Sequence, residues 1–177
     1  LSEFLSDDDF SRIFVLNGFA GTGKTTLIAA LVAALKELRI KPVLLAPTGR
    51  AAKVLARYCG EQALTIHKRI YRQRTNADYE SKFSLDFNRE QGAVFIVDEA
   101  SMLSDSTGDG ALFGSGSLLE DLVSYVRSGR GCRLILVGDS AQLPPVGCDF
   151  SPALDPATVS RYGEVVYGLM DEVVRQQ

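Results

Sequence analysis

The apolar positions of this chain fall into short, dense runs separated by longer stretches with helical spacing. Ile13-Phe14-Val15-Leu16-Asn17 is one such run. It breaks into a glycine-rich stretch and then into the Ala/Leu-rich segment Thr26 to Leu38, the order strand, loop, helix. A second unit follows, in which Lys41 and Pro42 lead into Val43-Leu44-Leu45-Ala46, then Pro47-Thr48-Gly49, then a helical segment from Arg50 to Tyr58 that ends near Gly60. Residues 93–97 and 133–137 are further apolar runs, of the kind found in strands covered on both faces, and a helical segment from Leu118 to Val126 lies between them. Glu164 to Tyr167 is a last candidate strand. About five strands alternating with helices predict an α/β domain with a mainly parallel sheet and helices on both faces. Residues 68–91 are polar and ambiguous. Residues 104–117 carry four glycines and four serines and read as a mobile surface loop.

Composition narrows the chemistry. The chain has 177 residues, 46% hydrophobic and 23% charged, which suits one globular domain and excludes a disordered tail. Its longest apolar run, Leu27 to Leu35, is about half of what a bilayer span needs, so no membrane association is expected. The first ten residues are acidic and lack the basic start of a secretory signal, and a cytoplasmic location is the expectation. Cys59, Cys132 and Cys148 are odd in number and widely spaced, which indicates neither a disulfide framework nor a thiolate zinc site. A single histidine, His67, excludes any His cluster. The net charge of −3 means that nucleic-acid binding would need a local basic patch.

Three motifs carry the chemistry. Gly18 to Thr25 fits G-x-x-x-x-G-K-[ST] in full, after a strand and before a helix. Glycines at 18, 21 and 23 let the backbone curl so that its N–H groups face phosphate oxygens, joined by the positive end of the following helix. Gly18, Gly21, Thr22, Gly23, Lys24, Thr25 and Thr26 are thus the candidate nucleotide cradle, with Lys24 on the outer phosphates and the Thr25 hydroxyl on Mg²⁺. The second motif, Val97-Asp98-Glu99-Ala100-Ser101, puts two acids at a strand end. Asp98 suits the Mg²⁺ shell and Glu99 can accept a proton from attacking water; an acidic pair starting the next helix is the alternative. The third, Gly138-Asp139-Ser140-Ala141-Gln142-Leu143-Pro144-Pro145-Val146-Gly147, also follows a strand, so Gln142 could share a site with Lys24 and Glu99. Alone it reads as a proline-stiffened loop.

In this order and at these intervals, GFAGTGKTT, LAPTGRAAKVL, LTIHK, FIVDEASML, LILVGDSAQLPPVG and the terminal LMDEVVRQQ resemble the successive motifs of superfamily 1 DNA helicases of the RecD-like type. The resemblance runs from about residue 13 to 177 and corresponds to the first of the two RecA-like domains of such enzymes. It implies a RecA-like phosphate-loop fold, ATP and Mg²⁺ as cofactors, single-stranded DNA as partner, and translocation from 5′ to 3′. Gln142 would link the terminal phosphate to the DNA surface, and Arg175 would contact that phosphate at the domain junction. Thr48, Arg50, Thr65 and His67 would line the strand path. HKRIYRQR, residues 67–74, with four Lys and Arg residues, a tyrosine and no acid, suits a backbone-tracking groove, and residues 68–91 could form a small strand-separating insertion; a solvated helix face, its charge diluted by Asp78, Glu80, Asp86 and Glu90, is the alternative.

The sequence departs from the family in two places. Residues 1–12 contain no glutamine to read an adenine edge, and Cys148-Asp149-Phe150 follow Gly147 where a second glycine is common. The expectation is a motor half of an ATP-dependent helicase, one RecA-like domain of a longer protein, that turns ATP over slowly or not at all without its second domain. Two rival readings stay open on the residues alone: a small-molecule phosphotransferase, and a non-catalytic nucleotide- or strand-binding module.

Overall fold

A computed structural model of the chain describes residues 1–75, 81–106 and 112–171. A short helix α1 (Ser2–Ser6) precedes β1 (Ile13–Gly18), α2 (Lys24–Glu37), β2 (Pro42–Ala46), α3 (Gly49–Cys59), β3 (Ala63–Thr65) and α4 (Ile66–Ile70). Then come β4 (Tyr71–Thr75), β5 (Ser81–Leu85), β6 (Val94–Val97), α5 (Leu118–Ser128), β7 (Arg133–Gly138), α6 (Pro156–Val159) and β8 (Val165–Met170), with 3-10 turns at Ala100–Met102 and Pro152–Leu154.

Six strands form one sheet in the order β3-β2-β6-β7-β1-β8, and every pairing in it is parallel. Alternation along the strands divides the core in two. Ile13 and Val15, Phe95 and Val97, and Leu134 and Leu136 pack with Leu119, Leu122 and Val126 of α5 on one face. Phe14 and Leu16, Val94 and Ile96, and Ile135 and Val137 pack with Phe4 of α1, Ile28, Val32 and Leu35 of α2, and Leu55 of α3 on the other. Two-sided cover of this kind explains why β1, β6 and β7 are apolar at nearly every position. The five expected strands and the mainly parallel sheet are all present, and β3 is a sixth strand that its three half-buried residues did not announce.

Two segments were left open or loose by the sequence, and the first holds the small hairpin that residues 68–91 could form. Within residues 68–91, α4 is followed by an antiparallel hairpin in which Tyr71 pairs with Leu85 and Thr75 with Ser81. The end of the expected surface loop does not stand free: Phe83 N–H donates to Leu112 O (3.1 Å) and Gly114 N–H to Phe83 O (2.8 Å), so this end of the loop docks along the hairpin. Among the described residues no helix is long and apolar enough to cross a membrane.

Candidate functional site

Strands β6, β7 and β1 are neighbours in the sheet, so the loops after their carboxyl ends share one edge. After β1 the chain turns through Gly21 (φ 79°) and Gly23 (φ 85°) into α2, conformations that side-chain-bearing residues rarely adopt. Thr22 is buried, and its hydroxyl donates to Phe19 O (2.7 Å), tying the turn to itself. Gly18 has no room for a side chain: a Cβ there would lie 2.8 Å from Thr22 Oγ1 and 3.1 Å from the Lys24 stem. Lys24 Nζ donates to the carbonyl oxygens of Gly18 (2.5 Å) and Phe19 (3.0 Å).

After β6, Asp98 N–H still bonds Leu45 O (3.0 Å) of the neighbouring strand, and Glu99 N–H donates to Asp98 Oδ1 (2.9 Å). Glu99 itself is left-handed, at φ 54° and ψ 37°. Burial pushes the Asp98 carboxyl above the ordinary carboxylate range, against the pull of the Lys24 charge. Glu99 is also raised, first by burial and then by Asp98, with Asp139 adding and Lys24 opposing. Two adjacent acids in short supply of positive charge form a natural seat for a cation.

After β7, buried Asp139 cinches the turn, its Oδ1 accepting from Ala141 N–H (2.8 Å) and its carbonyl from Gln142 N–H (3.1 Å). Ser101 Oγ then approaches Gln142 Oε1 at 3.4 Å. A cleft of about 840 Å³ is lined by Gly21, Thr22, Gly23, Lys24, Thr25, Thr26, Glu99, Gln142 and Met170, among others. Lys24, Glu99 and Gln142, from three separate loops, therefore face one space. Gly18 and Asp98 are not among its lining residues.

A magnesium nucleotide fits these residues. The left-handed glycine turn through Gly21 and Gly23, which lines the cleft at the start of α2, and the half-buried acid pair suit a phosphate chain and its cation. Thr25 lines the cleft and Asp98 adjoins Glu99, so these two would offer oxygen ligands to the cation. Among the described residues no cluster of three or more His, Cys, Asp or Glu could hold a metal alone, so Mg²⁺ would be held jointly with phosphate oxygens.

The strand-path candidates sit elsewhere on the same sheet edge. Thr48 and Thr65 are N-caps of α3 and α4, their hydroxyls accepting from Ala51 and Lys68 N–H (3.2 Å each). They lie close together because β2 and β3 are paired, with Ala46 opposite Thr65. Arg50 is exposed on α3, beside Lys53 and Arg57. His67 is half-buried, its ring 4.9 Å from Phe113 and 5.5 Å from Tyr71, and burial lowers its pKa so that it is neutral at pH 7. Arg175 lies outside the described residues. Sequence reasoning passed over Asn17, Tyr167 and Phe113, which the structure shows in contact with these elements. The polar side chain of Asn17 at the end of an apolar run was the one available signal.

The chain is similar to several known proteins. The chain is 33% identical over 135 residues to the ATP-dependent RecD2 DNA helicase of Deinococcus radiodurans, covering 76% of this chain and 16% of that protein. It is 33% identical over 201 residues to the RecBCD enzyme subunit RecD of Mycobacterium tuberculosis, covering 92% and 32%. The ATP-dependent DNA helicase dda of phage T4 is 34% identical over 136 residues, covering 74% and 28%. The chain thus spans less than a third of the length of each of these relatives. The crystal structure of Pif1 helicase from Candida albicans superposes with a TM-score of 0.61 at 21% identity, over 99% of this chain and 40% of that one, which shows the shared fold. The AAA domain family matches residues 3–177. With its phosphate loop, paired acids and Gln142 loop set on three adjacent strands, the chain belongs to the AAA domain family, in the RecD-like branch of superfamily 1.

Proposed function

We propose that this chain is the ATP-hydrolysing motor domain of a DNA helicase that moves 5′ to 3′ on single-stranded DNA, completed by a second RecA-like domain of a longer parent, and that it works in cytoplasmic DNA repair or recombination. The observation that carries the reading is the single cleft shared by Lys24, Glu99 and Gln142. A nucleotide-binding module needs the first of these; hydrolysis needs the second beside it. Glu99 accepts the proton of the attacking water, Lys24 neutralises charge on the outer phosphates, and the backbone amides of residues 21–25 hold them in place. Thr25 and Asp98 would hold Mg²⁺, which when bound would add to the charge neutralisation. Gln142 reads the terminal phosphate, a task that Arg175 would share at the junction with the second domain.

The capped N-termini of α3 and α4 face the strand path, with Thr48, Arg50, Thr65 and His67 as its contacts. Since His67 is neutral, it would act by hydrogen bonding and ring contact, leaving charge neutralisation to Arg50. The β4–β5 hairpin follows immediately and is the candidate for parting strands. The test is Glu99→Gln. In the full-length parent with single-stranded DNA, the variant keeps its Mg-ATP affinity within a few-fold of the unaltered protein while DNA-stimulated hydrolysis falls about 10²–10⁴-fold, the usual worth of a general base. Unchanged turnover overturns the hydrolytic reading.

A further inference from the structure

Asn17 is a buried amide, 6% exposed, next to the last residue of β1 and just before the phosphate loop. Its Oδ1 accepts from the backbone N–H of Ser140 (3.0 Å), which fixes the orientation of the amide. Its Nδ2 then donates to Ser140 Oγ (2.8 Å) and to Tyr167 Oη (2.9 Å). Ser140 stands two residues before Gln142 in a turn already cinched by Asp139, so its position sets where the Gln142 side chain emerges. That side chain in turn meets Ser101, two residues past Glu99. A chain of contacts therefore runs from the root of the phosphate loop, through Ser140 and Gln142, to the segment that carries Glu99.

We propose that Asn17 is the positioning residue that holds the Ser140–Gln142 turn against the nucleotide cleft, and so gives the domain its ability to tell a nucleoside triphosphate from a diphosphate. Asn17 does not line the cleft and touches no phosphate; it acts through Gln142. The amide suits this role because it satisfies a backbone donor and a hydroxyl of the same residue at once, pinning Ser140 at two points where a single bond would leave a pivot. Its second N–H reaches β8, the edge strand whose end, Met170, borders the cleft and accepts from Phe19 N–H (3.3 Å). This inference rests on the reading of Gln142 as the group that senses the terminal phosphate.

The test is a ratio measured by calorimetry on the 177-residue chain: affinity for a magnesium-bound, non-hydrolysable ATP analogue divided by affinity for Mg-ADP. Gln142→Ala lowers the ratio about tenfold, the worth of one hydrogen bond to a charged oxygen. Asn17→Ala lowers it by a similar factor while Mg-ADP affinity holds, because the cradle amides are untouched. A loss of packing alone would lower the melting temperature and leave the ratio where it was. Ser140→Ala, which removes one of the two pins, serves if Asn17→Ala does not fold, and should reduce the ratio by a smaller factor. If Gln142→Ala shifts the ratio and neither Asn17→Ala nor Ser140→Ala does, the positioning role is wrong and the sensor reading survives. If Gln142→Ala leaves the ratio unchanged, the sensor reading fails, and this inference with it.

Discussion

Glu99 holds a backbone conformation that costs a residue with a Cβ about 1–2 kcal/mol, and it does so half-buried beside a second half-buried acid. Both costs fall on the residue assigned to activate water. Asn tolerates the left-handed region and carries no charge, so Glu99→Asn should stabilise the fold by about 0.5–1 kcal/mol while removing hydrolysis, read as a higher denaturant midpoint. A lower midpoint would mean that Glu99 makes a stabilising contact that its geometry does not reveal. Lys24 and Glu99 stood out in the sequence because each follows a strand end within a motif whose chemistry needs that residue type, whereas Gln142 stood out only beside the other two and through the family resemblance. Asn17 did not, since its partners Ser140 and Tyr167 are 123 and 150 positions away and only folding brings them together. Thr48 and Thr65 show the opposite limit. Their cap bonds follow from local sequence, yet a cap and a phosphate ligand use the same hydroxyl, so sequence cannot separate the two roles.

Among the elements, the hairpin is held by more than its own ladder. Phe113 stacks on Phe83 at 4.6 Å and on the His67 ring edge-on, and Tyr71 Oη donates to buried Asp121 on α5 (2.6 Å). The loop after the paired acids thus returns to clamp the hairpin beside a strand-path residue. Phe113→Ala should raise amide exchange across Tyr71–Thr75 and Ser81–Leu85 and leave the six-stranded sheet protected. It should also let water reach His67 and move its pKa up toward 6.5, seen directly because the chain has one histidine. The sign follows from linkage: in the parent, the unfolded chain protonates His67 more readily than the folded one, so stability falls as pH drops through 6.5 toward the folded value. An unmoved imidazole titration would show that Phe113 does not shield it. None of this clamp was readable from Ser/Gly-rich composition, which describes a loop's freedom but not what a single phenylalanine within it can find. The short β3 escaped for a related reason: three half-buried residues carry too little alternation to register.

For the whole molecule, the arrangement of two apolar cores around one parallel sheet leaves the carboxyl edge to polar loops, and alternation in the sequence was enough to read that. Ligand binding at that edge should be felt throughout. Mg-ATP at 100 times its dissociation constant adds about 2.7 kcal/mol of stability, a rise of roughly 5–10 °C in melting temperature for a domain of this size. Lys24→Ala should abolish most of that rise, and a full rise in the variant would place the nucleotide elsewhere. The lysine has a further consequence. Because its ammonium already leans on Gly18 and Phe19, an arriving phosphate exchanges one set of oxygens for another, and the attraction that survives is a difference between two comparable grips. The loop is thereby kept in its open curl by its own cation, a stand-in that rehearses the guest's shape and yields the seat at modest cost, which favours rapid turnover of occupants over tight retention.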